Sequence, residues 1–145
     1  MFDDDTLSRL RIVLANSARA LNSTVTTAGL TPTEASVLGL IYSRGPLPSS
    51  ALRELEGLNA TMLSRMVSAL TRRGLVIRRP DPNDQRAAVL EVTDGGRALA
   101  AELRQARTRT LAECLERLPA RTATTIVRAL PSLEALADEL RADPE

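Results

Sequence analysis

The spacing of apolar residues along the 145-residue chain predicts a mainly helical protein with one β-hairpin. Apolar side chains recur at helical spacing from Leu7 to Val25, after three aspartates that favour a helix N-terminus. We therefore predict a long amphipathic first helix over residues 4–28, ended by Gly29.

The next two predicted helices are bounded by capping and breaking residues. Thr31-Pro32-Thr33-Glu34 combines a capping hydroxyl, a proline at the first helical position and a glutamate three residues after the cap. A second helix is predicted from Pro32 to about Ser43. The segment 45–48, Gly-Pro-Leu-Pro, then breaks the chain, and residues 49–55 are long enough for a short third helix before Gly57.

A fourth helix and a hairpin follow. Asn59 can cap the helix and Gly74 can end it. The residues that we expect to face inward, at positions i, i+3, i+4 and i+7, are Leu63, Met66, Val67 and Leu70. Residues 75–79 resemble a strand, residues 80–84 are a dense turn signal, and residues 86–92 resemble a returning strand.

The C-terminal part is predicted to be helical again. Thr93 can cap a fifth helix whose apolar residues run from Leu99 to Leu115, and Pro119 interrupts the pattern. Apolar residues from Ile126 to Leu140 then indicate one sixth helix.

This order divides the predicted single domain, residues 1–145, into two lobes. Residues 30–93 form a compact lobe of three helices and a hairpin, and residues 1–29 and 94–145 contribute the terminal helices. These terminal helices carry more apolar surface than one small protomer would bury, which favours a helical interface in a homodimer.

Composition and charge exclude several classes of function. The chain contains no histidine, one cysteine, no glycine-rich phosphate loop and no acid pair at an interpretable spacing. We therefore expect no catalytic site, no metal site, no cofactor and no disulfide. An acidic N-terminus and the lack of a run of about 18 apolar residues predict a cytosolic protein that does not enter a membrane.

The basic residues are unevenly placed. The whole chain has a net charge of +1, but residues 59–86 hold six arginines against two aspartates, a local net charge of +4. Aromatic side chains, which single-stranded nucleic acids stack upon, are limited to Phe2 and Tyr42. Duplex DNA is the ligand that fits this pattern, and Tyr42 is expected in the core or lining a pocket.

A short helix, a tight turn and a second helix make a helix-turn-helix, in which the second helix enters the major groove. The predicted DNA-contacting residues of this second helix are Asn59, Thr61, Met62, Ser64, Arg65 and Ser68. Arg65 is the best candidate to bind guanine, because its guanidinium matches the O6 and N7 acceptors. The alternative is a solvated helix arginine. Ser49 and Ser50 can contact a phosphate at the start of the third helix.

The hairpin has the size and charge of a wing that contacts the DNA backbone or the minor groove. Its candidate residues are Arg78, Arg79, Asp84 and Arg86. Two alternatives are open: Arg78 and Arg79 can be charges that protect an edge strand, and Asp84 with Arg86 can be a local turn ion pair.

Three runs carry a resemblance to a known family: LSRMVSAL at 63–70, RGLVIRRPDPNDQR at 73–86 and LEVTDGG at 90–96. They resemble the recognition helix and wing of the bacterial MarR (multiple antibiotic resistance regulator) family. The resemblance implies a winged helix-turn-helix in which Asp84 steadies Arg86 at the minor groove. It also implies a homodimer formed by the first, fifth and sixth helices.

The same resemblance implies a repressor of its own or neighbouring genes that binds a near-palindromic operator. Small aromatic or anionic effectors release such repressors, and Arg78 resembles a position that binds an anionic ligand in some members. Such a ligand binds more tightly when the two DNA-binding lobes of the dimer are not positioned for the operator. The factor by which operator DNA weakens ligand binding is then the factor by which the ligand weakens operator binding.

Two other functions fit parts of the sequence. A redox-sensing regulator would use a reactive cysteine, but Cys114 lies late in the fifth helix, and cysteine is among the most buried residue types. We therefore expect Cys114 to be buried. A helical protein-interaction module would use the terminal helices and never bind DNA, which the arginine-bearing wing argues against.

Overall fold

The structure is a computed structural model, and it describes residues 1–23 and 28–142. The described residues form seven helices: α1 (Asp4–Ser23), α2 (Pro32–Arg44), α3 (Ser49–Glu56), α4 (Ala60–Arg72), α5 (Asp94–Glu116), α6 (Ala120–Arg128) and α7 (Leu130–Ala142). They also form three strands: β1 (Leu47–Pro48), β2 (Val76–Pro80) and β3 (Ala88–Val92). The chain divides into two compact units, Met1–Thr108 and Arg109–Glu145, and α5 continues from one into the other.

Helix α1 begins as predicted, and the structure describes it from Asp4 to Ser23. Asp3 caps it, since one carboxylate oxygen accepts the Thr6 backbone N–H at 2.8 Å, and this bond lowers the pKa of Asp3. The predicted α-helix over residues 4–28 is confirmed for Asp4–Ser23 and is wrong at Ala28, which lies in a 3₁₀ turn. Residues 24–27, including Val25, lie outside the described residues.

The capping residues that define α2 to α4 are confirmed. Thr31 and Glu34 make both bonds of the capping box, at 3.2 and 2.8 Å. The Asn59 amide oxygen accepts the Met62 backbone N–H at 2.8 Å. Gly57, with φ of 62°, ends α3 in the left-handed conformation, so the turn between the two helices is tight.

The sheet has one more strand than predicted. Its order is β1-β3-β2, all antiparallel, and the two residues of β1 pair with Leu90 and Val89. The break predicted at residues 45–48 therefore contains a strand, and two residues are too few to show a periodic pattern. The returning strand starts at Ala88, so the prediction that it starts at Arg86 is wrong and Arg86 lies in the turn.

A single apolar core holds the first unit together. Its fully buried members come from α2, α3, α4 and both long strands: Val37, Leu38, Ile41, Leu52, Leu70, Val76 and Leu90. Leu63 and Val67 are buried as predicted, whereas Met66 is half-buried against the same core. Burial of this apolar surface provides most of the stability of the unit.

The start of α5 is packed closely against the end of α4. The Thr93 hydroxyl accepts the Gly96 N–H at 3.0 Å, which confirms Thr93 as the cap, and it donates to the Gly74 carbonyl at 2.6 Å. A Cβ at Gly96 would overlap the Leu75 carbonyl oxygen. Only glycine therefore allows this approach.

The second unit differs from the prediction of one sixth helix. The segment from Ile126 to Leu140 is divided between α6 and α7. Pro131 explains the division, because proline has no N–H to donate and its ring clashes with the carbonyl four residues earlier, that of Val127. The predicted interruption at Pro119 is confirmed, since Pro119 precedes the first residue of α6.

Large apolar side chains are exposed on the terminal helices. On α1 they are Leu7, Leu10, Ile12, Val13 and Leu14; from α5 onward they are Leu111, Leu118, Ile126, Val127, Leu130, Leu133 and Leu140. Neither α1, α6 nor α7 has a buried residue. No helix within residues 1–23 and 28–142 is long and apolar enough to cross a membrane.

Candidate nucleic-acid interface

Helix α4 presents a polar face to solvent. Leu63, Val67 and Leu70 turn one side of the helix into the core. The opposite side carries the predicted DNA-contacting residues, all of them exposed: Thr61, Met62, Ser64, Arg65 and Ser68. They occupy the first nine residues of α4, the part of a recognition helix that contacts base edges.

Asn59 has a local role that the sequence did not separate from DNA contact. Its amide oxygen is already bonded to the Met62 N–H at 2.8 Å. The side chain therefore fixes the first turn of α4, and only its NH2 group remains to donate to DNA.

The tip of the wing is held by two aspartates. Asp81 accepts the Asn83 N–H at 2.8 Å, and Asp84 accepts the Arg86 N–H at 2.9 Å. The Asp84 contact is thus to the Arg86 backbone, which contradicts the alternative of a side-chain ion pair. The exposed Arg86 guanidinium has no partner among the described residues and is available for DNA.

Arg78 and Arg79 point to opposite faces of the sheet. In the register of β2 and β3, Arg78 lies opposite Leu90, which is buried, and alternate residues share a face. Arg79 lies on the other face, where its Nε is 2.7 Å from a carboxylate oxygen of Glu91. The sequence predicts both arginines as wing residues that contact DNA. In the structure, Arg78 is directed toward α3 and α4, and Arg79 is not.

Arg78 lines a small cavity that we call the wing-root pocket. It has a volume of about 230 Å³, and its polar lining comes from Ser49, Ser50, Arg53, Ser64 and Arg78. Helix α3, helix α4 and the wing therefore bring two guanidinium groups and three hydroxyls together. The Ser49 hydroxyl also donates to the Ala88 carbonyl at 3.4 Å, which ties α3 to the start of β3.

Arg53 is the residue of this pocket that sequence reasoning missed. It lies three residues after Ser50 and four after Ser49, so all three share one face of α3. That spacing was the available signal.

A second cavity lies between α2 and α5, and we call it the α2–α5 pocket. Its volume is about 450 Å³, and its lining includes Leu40, Tyr42, Leu103, Arg104 and Arg107. The prediction that Tyr42 lies in the core or lines a pocket is confirmed. The Tyr42 ring is also 6.0 Å from the Arg97 guanidinium.

Arg107 is the unusual group of the α2–α5 pocket. Its Nε and Nη2 atoms are buried, and they have no hydrogen-bond partner among the described residues. Buried guanidinium nitrogens without acceptors are costly, so this site favours an anion. The sequence signal was the inward stripe of α5, in which Ala100 and Leu103 are followed at helical spacing by Arg104 and Arg107.

Cys114 does not behave as predicted. It is exposed, and the Arg117 Nη2 lies 3.2 Å from its sulfur. The prediction of burial is wrong for the single chain, because Cys114 belongs to the second unit, in which none of the described residues is buried. The described residues contain no group of three or more side chains able to hold a metal ion.

Taken together, α3, the tight turn, α4 and the following hairpin define a winged helix-turn-helix protein. Comparison with known proteins shows which family this part of the chain resembles. Residues 30–88 match the model of the MarR family, so the chain is similar to that family over these residues. The matched segment runs from the start of α2 to the start of β3.

Individual proteins show the same similarity. The transcriptional regulator MhqR of Bacillus subtilis is 29% identical over 99 residues, which are 66% of this chain and 68% of MhqR. The crystal structure of wild-type MarR from E. coli in its apo form superposes with a TM-score of 0.80 at 25% identity, covering 92% of this chain and 97% of MarR.

A third relative was solved with nucleic acid. The crystal structure of a cysteine-to-serine mutant of MarR from E. coli in complex with operator DNA matches with a TM-score of 0.69 at 27% identity. The match covers 88% of this chain and 93% of that one.

Proposed function

We propose that the protein is a homodimeric regulator of transcription that binds a near-palindromic operator in duplex DNA through residues 30–93. The observation that carries this proposal is the exposed polar face of α4 beside a wing whose tip presents Arg86. Its relation to a protein solved on operator DNA supports the same conclusion. Such a regulator works in the cytosol, where the DNA is.

Three groups of residues have separate roles on DNA. Arg65 reads guanine in the major groove, with Thr61, Met62, Ser64 and Ser68 as its neighbours on the groove-facing side. The wing-root pocket takes a backbone phosphate between Arg53 and Arg78. The Ser50 hydroxyl donates to the same phosphate, and the Ser49 hydroxyl does so in place of its 3.4 Å bond to the Ala88 carbonyl. Arg86 enters the minor groove at the wing tip.

The homodimer buries the exposed apolar residues of the terminal helices. Helix α1 has five such residues between Leu7 and Leu14, and those on α6 and α7 lie between Ile126 and Leu140. A monomer would leave this surface in water at a large free-energy cost. We therefore assign residues 1–29 and 94–145 to dimerisation.

The protein acts as a repressor that a small anionic ligand releases, and the α2–α5 pocket is its binding site. The two unpartnered nitrogens of Arg107 provide the charge that an anion needs, and Tyr42, Leu40 and Leu103 provide apolar contact. An aromatic carboxylate combines both properties. The anion site predicted at Arg78 lies in the wing-root pocket, where a ligand would compete directly with phosphate.

The first test is fluorescence anisotropy with the DNA upstream of the gene and with a scrambled duplex, across a salt series. We expect the upstream duplex to bind tighter by about 10³ or more, with a steep salt dependence. Equal weak binding to both would require selection of an operator from random duplexes. A dimer that binds no duplex at low salt would refute the proposal and favour a protein-interaction module.

The effector site has its own test. Aromatic carboxylates are screened by isothermal titration calorimetry, first without DNA. We expect Arg107→Met to abolish binding of any carboxylate that the parent binds, while operator affinity without ligand is unchanged. Arg109→Met, which removes an exposed arginine from the same helix, is the control. Unchanged carboxylate binding by Arg107→Met would exclude this pocket.

A further inference from the structure

Arg73 bonds to the backbone of a distant segment, unlike the residues proposed to contact DNA on α4. It is the first residue beyond α4, and its two terminal guanidinium nitrogens donate to two backbone carbonyls. Nη1 donates to Gly29 and Nη2 to Ala28, both at 2.9 Å. These carbonyls lie 44 and 45 residues away in sequence, in the segment that leads into α2.

The position of Arg73 separates it from the surface proposed to contact DNA. Arg73 follows the C-terminal end of α4, eight residues after Arg65, a distance of about 12 Å along the axis at about 1.5 Å per residue. Both of its terminal nitrogens are already bonded to carbonyls. These two bonds hold the guanidinium against the segment before α2, and three of its five N–H groups are left over.

The next residue makes a matching contact on the other side. The Gly74 carbonyl accepts the Thr93 hydroxyl at 2.6 Å, and Thr93 is the cap of α5. Arg73 and Gly74 therefore bond the end of α4 to both ends of the lobe of residues 30–93. These are the places at which the lobe joins the proposed dimerisation helices. Arg73 binds the segment that follows α1, and Gly74 binds the segment that starts α5.

The Arg73 bonds act on the two residues before Leu30, of which Ala28 also packs against the core. Leu30 is buried in the core and fixes the side nearest α2. Ala28 and Gly29 precede it, and the guanidinium holds their carbonyls. Gly29 adopts φ of 70°, a conformation that glycine reaches without strain and that presents its carbonyl to Arg73.

We infer that Arg73 is a positioning residue for operator recognition: it sets the separation of the two recognition helices in the dimer without contacting DNA. This inference rests on the proposed function. Two DNA-binding lobes on one face of the duplex must match the distance between half-sites, about 34 Å for one helical turn. When the lobe of residues 30–93 is held both by the Arg73 bonds and by the Gly74–Thr93 bond, the dimer fits one distance between half-sites. When the Arg73 bonds are removed, the lobe can move, and the dimer accepts several such distances.

The test uses an operator selected from random duplexes with the parent protein, and variants whose half-sites are moved apart or together by one and two base pairs. Dissociation constants are measured by anisotropy for the parent, Arg73→Gln, Arg73→Lys and Arg72→Gln. For the parent we expect a loss of about tenfold or more per displaced step, the order of one lost base contact. For Arg73→Gln we expect differences of less than about threefold across spacings.

The salt dependence separates positioning from phosphate contact. A residue that binds phosphate lowers the slope of log K against log salt by about 1 when it is removed. We expect Arg73→Gln to keep the parent slope. Arg73→Lys, whose single ammonium cannot reproduce the two-pronged contact, should be intermediate, and Arg72→Gln, which removes the adjacent exposed arginine, should keep the parent spacing profile.

A second measurement does not depend on DNA. Spin labels on Ser68→Cys in a Cys114→Ser background report the distance between the two recognition helices of the free dimer by electron paramagnetic resonance. We expect Arg73→Gln to broaden this distribution. A parent-like distribution and spacing profile would overturn the inference, as would a uniform affinity loss with a shallower salt slope. Failure of the parent to bind any duplex would instead refute the proposed function.

Discussion

At the scale of single residues, the arginines of residues 30–93 differ in whether their guanidinium groups are bonded to other parts of the chain or are exposed. Arg73 and Arg79 are bonded to other parts of the chain, Arg78 faces a pocket, and Arg65 and Arg86 are exposed without a partner in the described residues. Their positions in the sequence assigned Arg65 to the second helix of the helix-turn-helix and Arg78, Arg79 and Arg86 to the wing, but did not show which guanidinium groups are bonded elsewhere. Arg65 and Arg86 are therefore the residues whose replacement tests DNA contact most directly.

Replacement of Arg65 should reduce discrimination as well as affinity. We expect Arg65→Ala to lose about 1 to 3 kcal/mol of preference for guanine at one operator position, because alanine cannot bond O6 and N7. Binding to duplexes with each base at that position measures the effect. If Arg65→Ala kept the parent's ratio between guanine and the other bases, Arg65 would not read a base.

Replacement at the wing tip should act evenly on all sequences. Arg86→Ala should weaken specific and scrambled duplexes alike and make the salt slope shallower by about 1, since it removes a charge near phosphates. Asp84→Ala should weaken binding without that change in slope, because it removes the acceptor for the Arg86 N–H. Asp84→Asn keeps an acceptor and is the control; if it bound as weakly as Asp84→Ala, the carboxylate charge would matter instead of the turn.

At the scale of elements, the critical contact is the approach of α5 to the beginning of β2. It depends on Gly96, where a side chain would meet the Leu75 carbonyl. The Thr93 hydroxyl stabilises the same junction by bonding both Gly74 and Gly96. Displacement here would move the wing and the long helix together.

We expect Gly96→Ala to lower the free energy of unfolding by about 1 to 3 kcal/mol, the cost of inserting a methyl group into a packed site. Gly95→Ala is the matched control, since its Cβ would lie 3.8 Å from its neighbours, an ordinary contact. It should be neutral or stabilise by up to about 1 kcal/mol, because alanine favours a helix. Urea denaturation of both variants measures the difference, and equal stability would show that the backbone adjusts at Gly96.

At the scale of the whole molecule, the terminal helices leave much apolar surface exposed in a single chain. Neither α1, α6 nor α7 has a buried residue, although each carries large apolar side chains. Helices of this kind are stable when their apolar sides are packed against another surface. In the proposed dimer, that surface belongs to the second protomer.

A charge placed in this surface should dissociate the dimer. We expect Val127→Glu or Val13→Glu to raise the dimer dissociation constant by at least about tenfold, because each buries a carboxylate without a partner. Sedimentation velocity across a concentration series measures this. Gln85→Glu adds the same charge at the exposed wing tip and should leave the dimer intact. A dimer unaffected by both valine variants would place the interface elsewhere.

Local chemistry explains why so much of the fold was predictable. Each helix end that was predicted depends on residues only a few positions apart, so both partners can be recognised in a short stretch of sequence. These ends are the capping box at Thr31, the Asn59 and Thr93 caps, and the glycines at 57 and 74. Where a boundary was wrong, the signal was weak or misinterpreted. Strand β1 is too short for a pattern, and Pro131 divides a long apolar stripe whose periodicity by itself predicts one helix.

The sequence by itself determined the order of helices α1 to α5 and of strands β2 and β3, the inward and outward faces of α4, and the candidate arginines, because helical and strand periodicity fix which side chains share a face. Only the tertiary structure decided what those arginines do. It paired Arg79 with Glu91, bonded Arg73 to Ala28 and Gly29, placed Arg53 beside Arg78, and buried two nitrogens of Arg107. These outcomes depend on contacts between residues far apart in the chain, which arise only when the helices and the sheet pack together.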